Sequence, residues 1–480
     1  MHIKSDNKRD AAMKYLKLPA EFTTPVKILQ HCNPIALMES AYPSSGKSRF
    51  SIIVLDEAFS VVKKENQYYK IQNEVHEKLE GFSEFIDVLK HYRKKAPKDD
   101  VPEHYPIPVG GLGYLGYEYF NEIEAIQFQK EFHDCEYDCH FVFGRSFLVF
   151  DHFKDEMILS VVSYSGEDIC LEELLEKKLK EIEEAPSSVA DHSCCKDDIV
   201  IVEDNKKEAF KENVRRIKRE IVEGNLIQCV ISRSKIIKTS TDPKVFYREL
   251  RRENPSPYMF YLRLGKLILF GASPEIMVTV KGNKIVSRPI AGTRKRGTDD
   301  FEDALLEKEL LSDPKERAEH LMLVDLARND LGKVSKKNSV RVTEYMSVEK
   351  YASVMHICSN VESELEKNKD SFSAIKATFP AGTVSGAPKI QAIKTIEELE
   401  ELRRGPYAGL VGYFKSNGDF DSCIVIRSAI CNNGSIRLQA GAGIVYDSDP
   451  EREYQETEQK LASLLKVFKS PVGKQNATIK

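Results

Sequence analysis

Two segments of this chain begin with aspartate and proline and then place two glutamates three residues apart: Asp313-Pro314 before Glu316 and Glu319, and Asp449-Pro450 before Glu453 and Glu456. Aspartate before proline is typical of a helix N-terminus, because aspartate caps the helix and proline fits its first turn. Residues i and i+3 share a helix face, so each pair would present two carboxylates together. Since Mg²⁺ prefers oxygen ligands and keeps several waters, the pairs predict a magnesium site. Solvated surface glutamates would be the better interpretation of either pair alone.

Other stretches are suited to binding an anion. Ala381–Lys389 (AGTVSGAPK) leads into a predicted helix over 388–402, where free N–H groups suit a carboxylate or phosphate, although its spacing does not fit a Walker A loop. Gly441–Gly443 ends a predicted strand, where a ligand could approach the backbone closely. Arg427 interrupts an apolar strand over 424–430, either to clamp a carboxylate or to form a structural ion pair.

The composition excludes several classes of function. Of 480 residues, 41% are hydrophobic and 30% charged, as expected for a globular protein of two or three domain equivalents. The 71 basic and 75 acidic residues leave a net charge of −4, which gives no electrostatic signature of nucleic-acid binding. No apolar run of about 18 residues occurs, and the N-terminus has no signal-peptide pattern, so we expect neither a membrane span nor export.

The ten cysteines indicate a reducing compartment. Most stand alone among apolar residues, and a chain this long does not need disulfides, so we expect a cytoplasmic protein. Two clusters could suggest zinc. The His-x-Cys-x3-Cys-His stretch at 133–140 lacks a second ligand pair at zinc-site spacing, and the Cys-Cys pair at 194–195 lies in a polar segment. We therefore expect no zinc site at either.

The first part of the chain is predicted to mix strands and helices. The predicted elements are strands and turns over 20–60, a helix near 82–95, a strand over 141–150 and a helix over 171–184. The glycine-rich stretch 110–116 does not fit a dinucleotide-binding fingerprint and is predicted to pack closely within a sheet. A polar segment over 185–198 predicts a boundary between an N-terminal region, 1–190, and a catalytic domain, 200–470.

Beyond that boundary the patterning favours hairpins. A predicted helix over 206–223 ends at Gly224. Three hairpin turns are predicted, each between alternating strands: Gly282-Asn283, Asn417-Gly418 and Asn433-Gly434. The second joins a strand over 410–414 to one over 422–430. The sheet should therefore be largely antiparallel, which argues against Rossmann and TIM-barrel architectures.

Six stretches give the chain a specific family resemblance: Asn254–Phe260 (NPSPYMF), Gly271–Glu275 (GASPE), Arg288–Arg294 (RPIAGTR), Arg328–Gly332 (RNDLG), Thr378–Lys389 (TFPAGTVSGAPK) and Gln439–Ile444 (QAGAGI). From about 205 to 468 the chain resembles the chorismate-binding domain shared by anthranilate synthase large subunits, aminodeoxychorismate synthases, isochorismate synthases and salicylate synthases. The first 200 residues resemble the more variable N-terminal region of that family. The resemblance implies an α+β fold with a large, mostly antiparallel β-sandwich core flanked by helices.

The resemblance also implies the metal site. Chorismate has two carboxylates, and Mg²⁺ would bridge to the one on its ring. Glu319 and Glu456 are implied as the ligands of Mg²⁺. Glu316 and Glu453 are implied to act directly or through water.

Roles in the reaction follow from the same resemblance. Glu275 is implied to protonate the leaving C4 hydroxyl, which requires a neutral carboxyl and therefore a raised pKa. His356 is implied to lie near the reacting ring and is assigned to the second, pyruvate-eliminating step. The implied contacts with substrate are Gly292, Thr293, Thr383, Tyr407, Arg427, Gly441, Ala442, Gly443 and Lys460.

Two positions distinguish the sister activities. Isochorismate and salicylate synthases have a lysine that activates water where this chain has Gln228, and aminodeoxychorismate synthases have a nucleophilic lysine where it has Ala291. Neither glutamine nor alanine can do that chemistry. The resemblance therefore points to anthranilate synthase, in which ammonia attacks C2 of chorismate and pyruvate then leaves. The alternatives are aminodeoxychorismate synthase and a catalytically silent, tryptophan-sensing subunit.

A partner subunit and an inhibitor are implied as well. The sequence has no Gly-x-Cys-x-Gly nucleophile elbow, so ammonia is expected from a separate glutamine amidotransferase subunit through a channel. Feedback inhibition by L-tryptophan is expected. The implied tryptophan pocket draws on Glu39, Ser40, Pro257, Tyr258 and Met259.

Overall fold

The computed structural model describes residues 10–21, 23–41, 49–98, 101–102, 104–130, 135–185, 199–202, 206–351 and 354–469. The polar segment predicted as a boundary lies almost entirely outside these ranges. His133 and the cysteines at 194–195 also lie outside them. Within the described residues, no helix is long and apolar enough to cross a membrane.

The N-terminal part contains eight of the described strands and three of the described helices. They are β1 (Ala12–Pro19), α1 (Pro25–His31), β2 (Ala36–Glu39), β3 (Phe50–Lys64), β4 (Gln67–Gln72), β5 (Val75–Leu79), α2 (Phe85–Arg93), β6 (Leu112–Leu115), β7 (Cys139–Asp151), β8 (Glu156–Ser163) and α3 (Leu171–Glu183). The predicted helices near 82–95 and 171–184, and the strand over 141–150, are confirmed as α2, α3 and β7.

The remaining elements follow from residue 200 onward. They are β9 (Val200–Val202), α4 (Lys207–Val222), β10 (Gln228–Lys238), α5 (Pro243–Glu253), β11 (Tyr258–Leu264), β12 (Leu267–Ser273), β13 (Thr279–Lys281), β14 (Lys284–Ser287), β15 (Ile290–Lys295), α6 (Asp300–Ser312), α7 (Pro314–Gly332), β16 (Arg341–Lys350), β17 (Val354–Glu364), α8 (Ser371–Thr378), β18 (Gly386–Ala387), α9 (Lys389–Leu399), β19 (Leu410–Phe414), β20 (Phe420–Ile424), β21 (Ser428–Asn432), β22 (Ser435–Ile444) and α10 (Pro450–Lys469).

Two antiparallel sheets are joined through the long strands β3 and β7. One sheet runs in the order β1-β8-β7-β3-β2-β11-β12-β21-β22-β10-β9. The other runs β7-β6-β19-β20-β13-β14-β17, with β15 and β16 also paired to β17. The predicted antiparallel sandwich flanked by helices is therefore confirmed.

Alternate residues of one sheet face two different cores, as the two-residue period of a strand requires. Met38 and Phe260 are buried in a core shared with β6 and β7 of the other sheet. Their neighbours Leu37 and Tyr261 are buried in a second core, which includes residues of α5 and α10. The first sheet therefore lies between the second sheet and a layer of helices.

Strands of the N-terminal part pair directly with strands of the C-terminal part. β2 pairs with β11, and β6 pairs with β19. The predicted close packing of the glycine stretch is found in β6, because a Cβ on Gly113 would overlap the carbonyl of His140. The division into 1–190 and 200–470 stays a prediction.

The predicted strand over 422–430 is wrong in one respect. The chain forms two strands there, β20 and β21, and Arg427 lies between them at a φ of 49°. A residue in the left-handed region cannot continue an extended strand. All three predicted hairpin turns are present, between β13 and β14, β19 and β20, and β21 and β22.

Candidate active site

The two glutamate pairs lie in the first two turns of α7 and α10, at the helix starts that the sequence predicted. The Asp313 carboxylate accepts from the backbone N–H of Lys315 at 2.9 Å and of Glu316 at 3.3 Å. Asp449 caps α10 in the same way, accepting from Glu451 at 3.1 Å and Arg452 at 3.0 Å. Each cap begins its helix so that both glutamates follow within two turns.

The carboxylates of the two helices face one another. Burial raises the pKa of Glu319 to about 7, and repulsion from Glu316 and Glu456 adds to the shift. Burial also raises the pKa of Glu453, and the charge of Glu456 contributes. Carboxylates this close destabilise each other's charge, and a hard divalent cation would relieve that repulsion.

Two basic residues accompany the acids. Arg294 donates to Glu316 at 3.0 Å, and Lys460 donates to Glu456 at 2.7 Å and to the Gly441 carbonyl at 2.8 Å. Across the ranges described, no group of three or more His, Cys, Asp or Glu side chains is arranged to hold a metal ion. The donor set nevertheless fits Mg²⁺, which needs only one or two carboxylates and completes its shell with water and substrate oxygens.

Gln228 lies at the start of β10 and is only 2% exposed. Its side-chain amide donates to Glu319 at 3.4 Å, while its carbonyl oxygen is buried without a hydrogen-bond partner among the described residues. Gly443 makes room for this side chain, because a Cβ there would lie 2.6 Å from Nε2 of Gln228. The missing side chain at Gly443 thus lets the amide reach the acidic cluster.

Glu275 follows β12 and is 6% exposed. Burial raises its pKa to about 8, and the nearby Thr383 hydroxyl and the charge of Arg427 only partly offset that effect. The Thr383 hydroxyl lies close to this carboxyl. It is itself buried and has no other hydrogen-bond partner among the described residues. A carboxyl with such a pKa holds its proton at neutral pH and can donate it to a leaving group.

His356, on β17, links three of the predicted substrate contacts. Its Nδ1 lies 2.8 Å from the Gly292 carbonyl and 3.1 Å from the Thr293 hydroxyl, and its Nε2 lies 3.3 Å from Nη2 of Arg427. Burial and the charge of Arg427 lower the pKa of His356 to about 4. The ring is therefore neutral, with Nδ1–H donating to the Gly292 carbonyl and Nε2 accepting from Arg427.

The remaining predicted contacts adjoin these groups. Gly292 has a φ of 64°, and a Cβ there would lie 3.1 Å from a carboxylate oxygen of Glu316. A Cβ on Gly441 would lie 3.1 Å from the Tyr407 hydroxyl. Gly441 and Ala442 pair with β10 near Gln228. The structure thus places all of the predicted catalytic, substrate and metal residues in one connected region.

Sequence reasoning missed several side chains that hold this region in place. Arg294 binds Glu316, Glu309 and Asp313 together, and Tyr351 packs its ring 5.5 Å from His356. Arg294 stood in one of the family stretches, but nothing in the sequence showed that it would face an acid 22 residues away.

The predicted effector residues lie together where β2 pairs with β11. Glu39 is directly opposite Met259 in the ladder. The buried carboxylate of Glu39 accepts from Tyr247 at 2.9 Å and from Arg251 at 2.8 Å. These two partners, both on α5, were not predicted, because they are more than 200 residues away in the chain.

Comparisons with known proteins agree with this geometry. A family model described as chorismate binding enzyme matches residues 40–466. An anthranilate synthase component 1 of Spirochaeta aurantia is 41% identical over 92% of this chain and 93% of its own, and one of Acetivibrio thermocellus is 38% identical over 94% of each. The crystal structure of anthranilate synthase component I from Streptococcus pneumoniae superposes with a TM-score of 0.77 at 34% identity, over 93% of this chain and 98% of its own.

Proposed function

The chain belongs to the chorismate-binding enzymes as an anthranilate synthase of the component 1 type, a chorismate-utilising lyase, and we propose that it aminates chorismate at C2 with ammonia and then eliminates pyruvate to give anthranilate. The observation that supports the proposal most strongly is Glu275. Its raised pKa keeps a proton available inside a site whose other charged groups suit a dicarboxylate.

In the first step, Glu275 gives its proton to the C4 hydroxyl, which leaves as water while ammonia bonds to C2. Arg427 is placed to pair with a substrate carboxylate, since His356 fixes its guanidinium on one side. Gln228 and Ala291 favour ammonia, because neither side chain can deprotonate water or form a covalent adduct with the ring.

In the second step, C2 loses its proton and the C3–O bond breaks, so the ring becomes aromatic. The enolpyruvyl group leaves with its oxygen and takes up a proton to become pyruvate. His356 is neutral and has its lone pair at Nε2, so it can take the C2 proton once Arg427 has turned to the substrate. Glu275, left as a carboxylate by the first step, must regain a proton before the next turnover.

We further propose Mg²⁺ as the cofactor, held by Glu319 and Glu456 with Glu316 and Glu453 beside them. When bound, the ion would neutralise the ring carboxylate of chorismate and fix its position. The clustering of these carboxylates and the raised pKa of Glu319 support the assignment.

The proposal is tested by incubating the purified chain with chorismate, Mg²⁺ and ammonium, and following anthranilate fluorescence. We expect anthranilate to form, and to stop forming when EDTA removes the metal. Accumulation of 4-amino-4-deoxychorismate would instead favour an aminodeoxychorismate synthase. Binding of tryptophan without any product would favour a silent sensing subunit.

We also propose a glutamine amidotransferase partner that supplies ammonia, consistent with the component 1 names of the relatives. Feedback inhibition by tryptophan is proposed at Glu39, Ser40, Pro257, Tyr258 and Met259, within the N-terminal region and its contact with β11. The pairing of β2 with β11 supports this, because it brings both halves of the pocket together.

Replacing Ser40 with phenylalanine is expected to abolish inhibition by tryptophan while kcat changes less than about twofold. Ser40 follows the buried Glu39, so a large ring would occupy the space of the indole without reaching the glutamate clusters. The measurement is anthranilate formation over a tryptophan titration, with Ser51→Ala as a control on the neighbouring strand. Unchanged inhibition in Ser40→Phe would show that the pocket lies elsewhere.

A further inference from the structure

A buried arginine, Arg404, adjoins the proposed substrate contacts without being one of them. It follows α9 and is only 2% exposed. Its guanidinium makes four hydrogen bonds: two to the carboxylate of Glu400, at 2.6 and 3.0 Å, and one each to the carbonyls of Val384 at 2.6 Å and Val230 at 2.7 Å. Glu400 in turn accepts from the backbone N–H and the hydroxyl of Ser232 on β10, at 2.6 and 2.8 Å. One side chain thus connects three segments of the chain.

Each carbonyl that Arg404 binds lies close in the chain to a residue assigned to the reaction. Val384 directly follows Thr383, which lies beside the proton donor. Val230 is two residues after Gln228 on β10. Because the guanidinium is planar and rigid, its bonds to both carbonyls fix how the Thr383 segment lies relative to β10.

The guanidinium also lies against Tyr407, another of the proposed substrate contacts. Its Cζ is 5.8 Å from the centre of the Tyr407 ring and 4.6 Å from that of the Tyr117 ring. A cation above an aromatic face is attracted to it. Tyr407 is 4% exposed, and its hydroxyl lies beside Gly441. Arg404 therefore contacts a side chain of the proposed site as well as the backbone next to it.

Stability alone is a poor reason to bury this ion pair. The side chain of Glu400 is 8% exposed, so both charges are removed from water. That desolvation offsets much of the attraction between them, and apolar side chains of similar volume often stabilise a fold equally well. A guanidinium that binds in several fixed directions instead determines where its neighbours lie. Arg404 thus supplies a geometry that an apolar core would not.

We propose that Arg404 is a positioning residue for chorismate, which holds Tyr407 and the Thr383 segment against β10 in the arrangement that binds the substrate. This inference rests on the proposed function, because it concerns the site of that reaction. A site that is already held in its binding arrangement loses less free energy to ordering when the substrate arrives. Loss of the guanidinium should therefore weaken binding of chorismate more than it slows the reaction of bound chorismate.

The first test is Arg404→Lys, which keeps a positive charge beside Glu400 but replaces the planar guanidinium with a single ammonium group. We expect the KM for chorismate to rise about tenfold or more, since small misplacements of binding groups are costly, while kcat at saturating chorismate changes less than about threefold. A purely structural role would give the opposite result. Part of the enzyme would unfold, so kcat per total protein would fall and the KM of the folded part would stay unchanged.

A double variant, Arg404→Met with Glu400→Gln, removes both charges together. No buried charge is then left unpaired, and glutamine can still accept from Ser232, so the fold should be kept. The melting temperature verifies this. The KM for chorismate should again rise about tenfold or more, because the carbonyls of Val384 and Val230 are no longer held. An unchanged KM in the folded double variant would overturn the proposal.

Arg145→Lys is the matched control. Arg145 also binds a carboxylate with two N–H groups, that of Glu167 at 2.6 and 2.7 Å, and donates to the Val162 carbonyl at 2.8 Å. Its guanidinium lies 5.9 Å from the centre of the Tyr164 ring, in the N-terminal part of the chain. Arg145→Lys should lower the melting temperature and leave the KM for chorismate unchanged.

Two outcomes separate this inference from the proposed function. An equal rise in the KM for chorismate in Arg145→Lys and Arg404→Lys would overturn the inference alone, because the effect would then come from general destabilisation. Failure of the unmodified chain to make anthranilate at any concentration of chorismate and ammonium would remove the proposed function, and the inference with it.

Discussion

Replacing Glu275 with glutamine is expected to lower kcat by about 10²–10⁴-fold, the range that a general acid contributes. Glutamine has nearly the same shape but cannot give a proton to the C4 hydroxyl. Binding of chorismate should change little, because the residue is placed beside the reacting centre rather than at the carboxylate contacts. Anthranilate formation and the KM for chorismate, measured together, check both expectations.

The pH dependence provides a sharper criterion. Because the pKa of Glu275 is raised to about 8, the unmodified enzyme should keep its kcat up to that pH and lose it above, as the carboxyl ionises. Ammonium must be saturating throughout, since the free base increases with pH. The residual activity of Glu275→Gln should lack this alkaline decline. An identical decline in the variant would show that another group is the acid.

The same substitution should stabilise the fold at neutral and alkaline pH. In the unfolded chain a glutamate ionises near pH 4.3, whereas the folded chain keeps Glu275 protonated to about 8. The stability that the Glu275 carboxyl contributes is therefore fully present below the pKa of the unfolded chain. It is lost as pH rises to the pKa of the folded chain. Glutamine does not ionise, so the variant should gain roughly 3 kcal/mol near pH 7.

Glu118→Gln is the matched control for both measurements. Glu118 is also buried, at 4% exposure, and burial raises its pKa to about 7. It accepts from the backbone N–H groups of Arg404 and Gly405 and not from the side chains assigned to the reaction. Its replacement should alter stability but leave the alkaline decline of kcat in place.

Local patterns in the sequence predicted much of the fold. The Asp-Pro caps of α7 and α10 and the three hairpin turns depend on residues close together in the chain, and all are present. The spacing of Glu316 and Glu319 also followed from helix geometry alone. Such features are predictable because neighbouring residues determine them.

Contacts between distant parts of the chain were not predictable in this way. The pairing of Arg294 with Glu316 and of Arg251 with Glu39 depends on how strands and helices pack, which no local spacing encodes. The left-handed turn at Arg427 was missed for a similar reason. Its apolar neighbours suit a buried strand. The chain must nevertheless turn at Arg427, because β20 pairs with β19 in one sheet and β21 pairs with β12 in the other.

Replacing Glu319 or Glu456 with glutamine is expected to cost several kcal/mol of transition-state stabilisation, on the order of 10³-fold in kcat/KM, and to weaken the dependence on Mg²⁺. Glutamine keeps the size and an oxygen donor but removes the charge that attracts a divalent cation. The concentration of Mg²⁺ required for half-maximal activity should therefore rise in both variants.

The two variants should differ in stability, which separates a metal role from a structural one. Glu319 is held among like charges, so its replacement should relieve repulsion and raise the melting temperature without Mg²⁺. Glu456 is about half exposed, and within the described part of the chain its salt-bridge partner is Lys460, so Glu456→Gln should leave the melting temperature nearly unchanged. Addition of Mg²⁺ should stabilise the unmodified chain more than either variant.

Matched controls lie on the same two helices. Asp325→Asn on α7 and Glu451→Gln on α10 each remove one exposed carboxylate that pairs with a basic side chain outside the cluster. Both should keep full activity and an unchanged Mg²⁺ requirement. Full activity in Glu319→Gln and Glu456→Gln would contradict the metal assignment. The glutamates would then serve only as ion-pair partners of Arg294 and Lys460. The positive charge that attracts the substrate carboxylate would come from those two side chains and from Arg427.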